Sequence, residues 1–244
     1  MLPLAPVVAR PVEALGLRFS NALGLAAGID RSGDRLEALS KTGIGHVEVG
    51  SVNDSRALRI NRTDGIRDLV VGANIASRRS GLNLNVLDDY ADLMGGVWHC
   101  ADYIAASLGK ASLGRNGDML GIDELIERIA STRDILVRRT GRKVPVLVKI
   151  RGAANGGSVP RAVMAARRCG LDGVVLVTSS LDSLRTCCRQ VGPLATVISV
   201  GGIGGALDAR ARLAAGASLV QIHNLFVTYG VAGARACLGD VVTA

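Results

Sequence analysis

The sequence predicts an α/β fold, a single closed TIM (β/α)8 barrel, and three observations predict it. Eight short apolar runs alternate with helical patterns, joined by short connections. Several of these runs are continuously apolar, as strands covered on both faces are. A glycine-rich turn that leaves backbone N–H groups bare follows the seventh run and a polar helix start follows the eighth, where parallel barrels commonly build a phosphate site. An open doubly wound sheet would share the periodicity, and it is the position of these glycines that selects the barrel. The 244 residues suit one such domain, so residues 1–244 are read as one unit without a linker or low-complexity tract.

Taken in order, the predicted strands cover residues 22–27, 46–51, 69–75, 103–107, 144–150, 173–178, 196–201 and 219–223. The first is built of small residues and runs into Gly28-Ile-Asp30, a turn with a candidate helix cap. Residues 53–68, after the second strand, are polar, Arg-rich and aperiodic, hence a loop on the strand-end face that carries function in barrels. Residues 109–117, after the fourth strand, read as another such loop. Apolar residues recur at spacings of three and four over 122–137, which makes a helix, and residues 206–215 fit one more.

Composition narrows the function. Hydrophobic residues are 48% and aromatics only 2%, so the core is aliphatic and lacks the stacking platforms that single-strand nucleic-acid binders use. The formal net charge is +8, but the arginines are scattered, and the densest run, 138–143, ends a predicted helix where cations are favoured by the dipole. The five cysteines, Cys100, Cys169, Cys187, Cys188 and Cys237, show no metal-like spacing; their odd number suggests reduced thiols and a cytoplasmic location. Residues 1–10 do not read as a signal peptide, and no apolar run is long enough to span a membrane. Neither nucleic acid nor membrane is expected as a partner, and no metal.

Two segments carry the chemistry. Residues 196–205 end a strand in paired glycines before a helix, and residues 214–226 end the next strand at a polar helix start, which together make an anion cradle. Residues 23–33 run from a strand into small residues, an acid and a base, a mouth against which a flat ring can lie.

The run Gly24-Leu-Ala-Ala-Gly-Ile-Asp30, the strand Val47-Glu-Val-Gly-Ser51, Asn74 in Val-Gly-Ala-Asn-Ile, Val144-Pro-Val-Leu-Val-Lys-Ile150 and the final Val-Gly-Gly-Ile with Ala-Ala-Gly-Ala-Ser-Leu-Val-Gln-Ile together resemble the dihydroorotate dehydrogenase family, class 2-like, as a divergent and shortened member. The resemblance implies an FMN-binding barrel. On matching positions, Ala26, Ala27 and Gly28 would lie against the flavin, with Ser51 and Asn74 as hydrogen-bonding neighbours. Lys149 matches the family's flavin-contacting lysine, whose ammonium would stabilise an anionic reduced flavin; the same lysine could instead pair with a neighbouring carboxylate. Gly201, Gly202, His223 and Asn224 would hold the phosphate.

Departures from the family pattern are as informative. Lys110 stands at the position of the family's serine base, and Ser112, two residues on, is the other candidate in that loop. A lysine works as an acid or base near neutrality only if burial or a neighbouring cation lowers its pKa. On the substrate side Arg31 replaces a lysine, Asn61 survives from a longer loop, and Thr178 and Ser179 replace an Asn-Thr pair. A Gly-Gly-x-Ser-Gly phosphate segment is missing between residues 181 and 193, and the membrane-associated N-terminal extension of class 2 is not expected. The expected function is FMN-dependent redox of a dihydropyrimidine-like or other small reduced heterocycle, with a small anionic substrate and a homodimer left open. Two alternatives remain: a flavin-free barrel binding a phosphorylated metabolite, and a non-catalytic binding subunit.

Overall fold

The computed structural model describes residues 10–61, 66, 68–79, 81–109, 120–152, 160–193 and 195–239. The described chain opens with an antiparallel hairpin, β1 (Val12–Ala14) and β2 (Leu17–Phe19), that no pattern before residue 22 announces. Its two-residue turn places both Leu15 and Gly16 at positive φ, 57° and 69°, the conformation that twists with the flanking strands. Gly16 adopts it freely, whereas Leu15 does so held by a bond from its amide to Thr196 Oγ1 at 3.3 Å.

All eight predicted strands form: β3 (Leu23–Leu25), β4 (His46–Val52), β5 (Val70–Ile75), β6 (Tyr103–Ser107), β7 (Val146–Arg151), β8 (Gly173–Val177), β9 (Thr196–Val200) and β10 (Leu219–Ile222). They pair in parallel in chain order, and β10 pairs with β3 through Val220↔Leu23 and Gln221↔Gly24, which closes the barrel. Seven α-helices lie among the described residues: α1 (Leu36–Ser40), α2 (Leu84–Val97), α3 (Leu120–Thr140), α4 (Arg161–Arg168), α5 (Leu181–Val191), α6 (Ala206–Ala214) and α7 (Asn224–Leu238). Side-chain caps start two of them, Asn83 accepting from the amide of Val86 and Ser180 from that of Ser183. The predicted loop 53–68 holds one short 3-10 turn, Ser55–Ala57, capped by Asp54. Among the described residues no helix is long and apolar enough to cross a membrane.

With so few aromatics, the wall between strands and helices is aliphatic: Val86, Met94, Ile104, Ile126, Ile129 and Val146 are among its fully buried members. Burying each such side chain stabilises the fold by roughly 1.5–3 kcal/mol. Inside the barrel two rings fill the space left by two glycines. The ring of His46 fills the place that a Cβ on Gly24 would need, and the ring of Tyr103 does the same over Gly72. Phe19, carried by the hairpin, meets His46 edge-on at 5.4 Å between centroids. The hairpin and these rings thus plug the amino end of the barrel, leaving polar chemistry to the other end.

Candidate active site at the carboxyl end of the barrel

Every second residue of a barrel strand points inward. On β4 those are His46, Glu48 and Gly50, on β5 Gly72 and Asn74, and on β10 Gln221; their registers bring Glu48 level with Gly72 and Gln221 level with Gly24. Glu48 is fully buried, and a charge there is tolerated only with close partners. It has four. Lys149 Nζ, on β7, stands 2.7 Å from Glu48 Oε2, and Gln221 Nε2 donates to Oε1 at 2.8 Å. Asn74 Nδ2 donates to Oε2 at 3.3 Å and Tyr103 Oη to Oε1 at 3.4 Å. Burial alone would push the Glu48 carboxyl up, but the charge and hydrogen bond of Lys149, with help from Gln221 and His46, hold it below the usual range. Burial first, and then the same carboxylate, push the Tyr103 phenol well above its ordinary value, so it stays a neutral donor.

The network continues to the mouth. Asn74 turns its carbonyl oxygen outward to accept from Ser51 Oγ at 3.0 Å, and Ser51 is exposed. Lys149 keeps 12% of its side chain exposed, and one of its three N–H donors is spent on Glu48. His46, below, has neither ring nitrogen bonded, and burial lowers its pKa to about 4, against the pull of Glu48. It is a neutral ring under a charged network.

The cradle forms on the far side of the mouth. Gly201 and Gly202 follow β9 at φ of 97° and 64°, which frees their backbone from any Cβ. Among the described residues the amide of Gly202, one residue beyond the β9–β10 ladder, donates to no protein group, so it remains for a ligand or solvent. His223 caps α7, with Nδ1 3.0 Å from Asn224 Oδ1, and its Nε2 lies 3.0 Å from where a Cβ on Gly28 would stand. Gly28 is at φ 109°, so the small-residue floor of β3 and the cradle meet at this glycine.

The positions expected from sequence therefore fall into groups. Ser51, Asn74 and Lys149 are joined through Glu48, while Gly28, His223 and Asn224 adjoin Gly201 and Gly202 across the mouth. Ala26 is buried and Ala27 partly exposed at the end of β3. Thr178 is buried, and its hydroxyl accepts from the amide of Ser180 at 3.1 Å, so it shapes the turn after β8. Ser179 is exposed beside Gly202. Arg31 and Asn61 are exposed and bond to none of these residues. Asp30, next to Arg31, is a turn cap, accepting from the amides of Gly33 at 2.8 Å and Arg35 at 3.0 Å. Lys110 and Ser112 lie outside the described residues. Glu48, Gln221 and Tyr103 are the site residues that the pattern reading passes over. Their signal was a charged or polar residue inside an otherwise apolar, fully covered strand.

Strand closure and the glycine turn after β9 define the class, a (β/α)8 barrel with a polar mouth at the carboxyl ends of its strands. Residues 158–237, from β8's approach through α7, match the family model described as dihydroorotate dehydrogenase. Relatives named dihydroorotate dehydrogenase (quinone) extend the match: that of Alkalilimnicola ehrlichii is 29% identical over 90% of this chain and 82% of its own length. That of Teredinibacter turnerae is 29% identical over 94% and 85%. The crystal structure of the Eimeria tenella dihydroorotate dehydrogenase in complex with ferulenol superposes with a TM-score of 0.77 at 20% identity, over 98% of this chain and 85% of that one, which shows the shared fold. The chain is thus similar to dihydroorotate dehydrogenases over most of its length, and shares their barrel fold.

Proposed function

We propose that the protein is an FMN-dependent oxidoreductase acting on a small reduced heterocycle other than dihydroorotate. The observation that carries the flavin is the pairing of a lysine-centred polar network, Lys149 with Asn74 and Ser51, with a bare glycine cradle across the mouth at Gly201 and Gly202. A flat isoalloxazine ring suits the small floor of Ala26, Ala27 and Gly28, and a phosphate suits a glycine turn without Cβ atoms where the Gly202 amide is unused. FMN, when bound, supplies hydride acceptance.

This chain's residues do the rest. Glu48 fixes the Lys149 ammonium in place and leaves two of its N–H donors for negative charge that develops beside it. Asn74 is oriented from both ends, by Glu48 and by Ser51, so that its position is set before any ligand arrives. Gln221 and Tyr103 close the barrel beneath and keep water from Glu48. Proton removal from substrate falls to Lys110 or Ser112 in the loop after β6. The altered substrate follows from Thr178, which puts a hydroxyl that already accepts from the Ser180 amide where the family pattern has an amide side chain, and from Arg31 where it has a lysine.

The visible absorption spectrum of the purified protein before and after adding FMN tests this reading. A bound-flavin spectrum with one FMN per chain is the expected result, and anaerobic dihydroorotate should leave it unbleached. A colourless protein that takes up no FMN would reject the flavin, and rapid bleaching by dihydroorotate would reject the altered substrate.

A further inference from the structure

Beneath the cradle lies a cation that no pattern of the sequence marks. Arg212, on α6, is 2% exposed and among the largest fully buried side chains of the described residues. Its Nη1 donates to Ser199 Oγ at 2.9 Å and its Nη2 to the carbonyl of Ser179 at 3.2 Å. A Cβ on Gly202 would stand 2.8 Å from Nη2, so the guanidinium lies directly against the Gly201-Gly202 turn. Among the described residues no carboxylate comes within ion-pair distance of it. The nearest acid along the helix, Asp208, spends Oδ2 on the amide of Gly204 at 2.8 Å.

A buried guanidinium held by two neutral acceptors is expensive unless an anion completes it, since it cannot shed its proton as a lysine or histidine can. Its two bonds also tie the loop after β8 to the wall of β9, on either side of the glycine turn. Resting on the FMN reading above, we propose that Arg212 is the positioning residue of the phosphate cradle. It fixes the Gly201-Gly202 turn from below and supplies the positive charge that a phosphate seated there meets, in place of the phosphate segment this chain lacks before β9.

The test uses two ligands that differ only in the phosphate. FMN and riboflavin are titrated by flavin fluorescence into the parent protein, Arg212→Gln and Arg212→Lys, with circular dichroism verifying that each is folded. Arg212→Gln should weaken FMN by on the order of tenfold to a hundredfold, as loss of a charged partner does, and leave riboflavin within about twofold. Arg212→Lys should recover part of the FMN affinity, because it keeps the charge and loses the fork; it also serves alone should the glutamine variant fail to fold, with FMN weakened and riboflavin spared. Equal weakening of both ligands, or of neither, overturns the proposal. Should the parent bind neither flavin, the FMN reading fails by itself, and inorganic phosphate then decides the role of Arg212. A phosphate-dependent rise in melting temperature that either variant diminishes supports it, and no rise, or the same rise in the variants, overturns it.

Discussion

Two buried cations flank the mouth of this barrel, and they are provisioned differently. Lys149, inside, is neutralised by Glu48 at 2.7 Å within a network of four donors. Arg212, in the layer between β9 and α6, has only a hydroxyl and a carbonyl. An ion pair of this kind presents its donors in a fixed direction while cancelling most of its field, so the Lys149 side is built for geometry. A guanidinium bonded only to neutral groups, with Asp208 attracting it from beyond ion-pair distance, leaves more positive potential in the turn above it, so the Arg212 side is built for charge. On the FMN reading proposed above, the contrast teaches that the ring and the phosphate of the ligand would be read by different physics.

The most severe way to break the contrast is to remove the cation on the paired side. Lys149→Ala leaves a fully buried carboxylate without its main partner, and the fold should lose about 3–5 kcal/mol in urea denaturation at neutral pH. The double change Glu48→Gln with Lys149→Met should recover most of that loss, because both charges are gone. A single Lys149→Ala without measurable destabilisation would mean that the pair contributes nothing.

His46 sharpens the same contrast from the floor of the barrel. It too is buried, with Glu48 and Tyr103 as the titratable groups of its surroundings, and it bonds to nothing, but unlike Arg212 it can be neutral. Its folded pKa of about 4 lies below the unfolded value, so the unfolded chain takes up the proton first. Stability is therefore full above about pH 6.5 and falls as the pH drops toward about 4, by about 3 kcal/mol in all from this group. The depressed Glu48 carboxyl adds a further loss at still lower pH, below the usual carboxylate range. His46→Phe should flatten the upper part of that profile and raise stability at neutral pH, since two unbonded buried nitrogens disappear. An unchanged slope between pH 6.5 and 4 would place the titrating group elsewhere.

The smallest effect is expected at the rim of the cradle. Asp208 holds the Gly204 amide and puts a negative charge near the site. Asp208→Asn keeps an acceptor and removes the charge, so FMN should bind a few-fold tighter at low salt, with the gain fading as salt screens it. Tighter binding that persists unchanged at high salt would point away from electrostatics.

Much of this fold was legible because covered parallel strands write themselves as apolar runs. Residues 103–107 are recovered as β6 without change, and the remaining strands differ only at their ends, where hydrogen bonding stops before hydrophobicity does. The hairpin before β3 was not legible: Val12-Glu-Ala-Leu-Gly-Leu-Arg-Phe has too few residues per strand for periodicity, and its turn uses leucine at positive φ, where a glycine or asparagine would have signalled it. Gly201, Gly202 and Gly28 were legible because only a missing Cβ permits their backbone. Glu48 was hidden because its meaning depends on Lys149, Gln221 and Asn74, three strands that the barrel alone brings together. Arg212 was hidden for the opposite reason, since an arginine near the end of an exposed-looking helix reads as a solvated charge until α6 is packed against β9.

The most direct measurement compares FMN with riboflavin on the unaltered protein at low ionic strength, by quenching of flavin fluorescence. Net charge beneath the cradle requires saturation at one flavin per chain, with FMN bound at least about tenfold more tightly than riboflavin. Equal affinities for the two, or no saturable binding of either, would contradict a mouth that reads its ligand by geometry at Lys149 and by charge at Arg212.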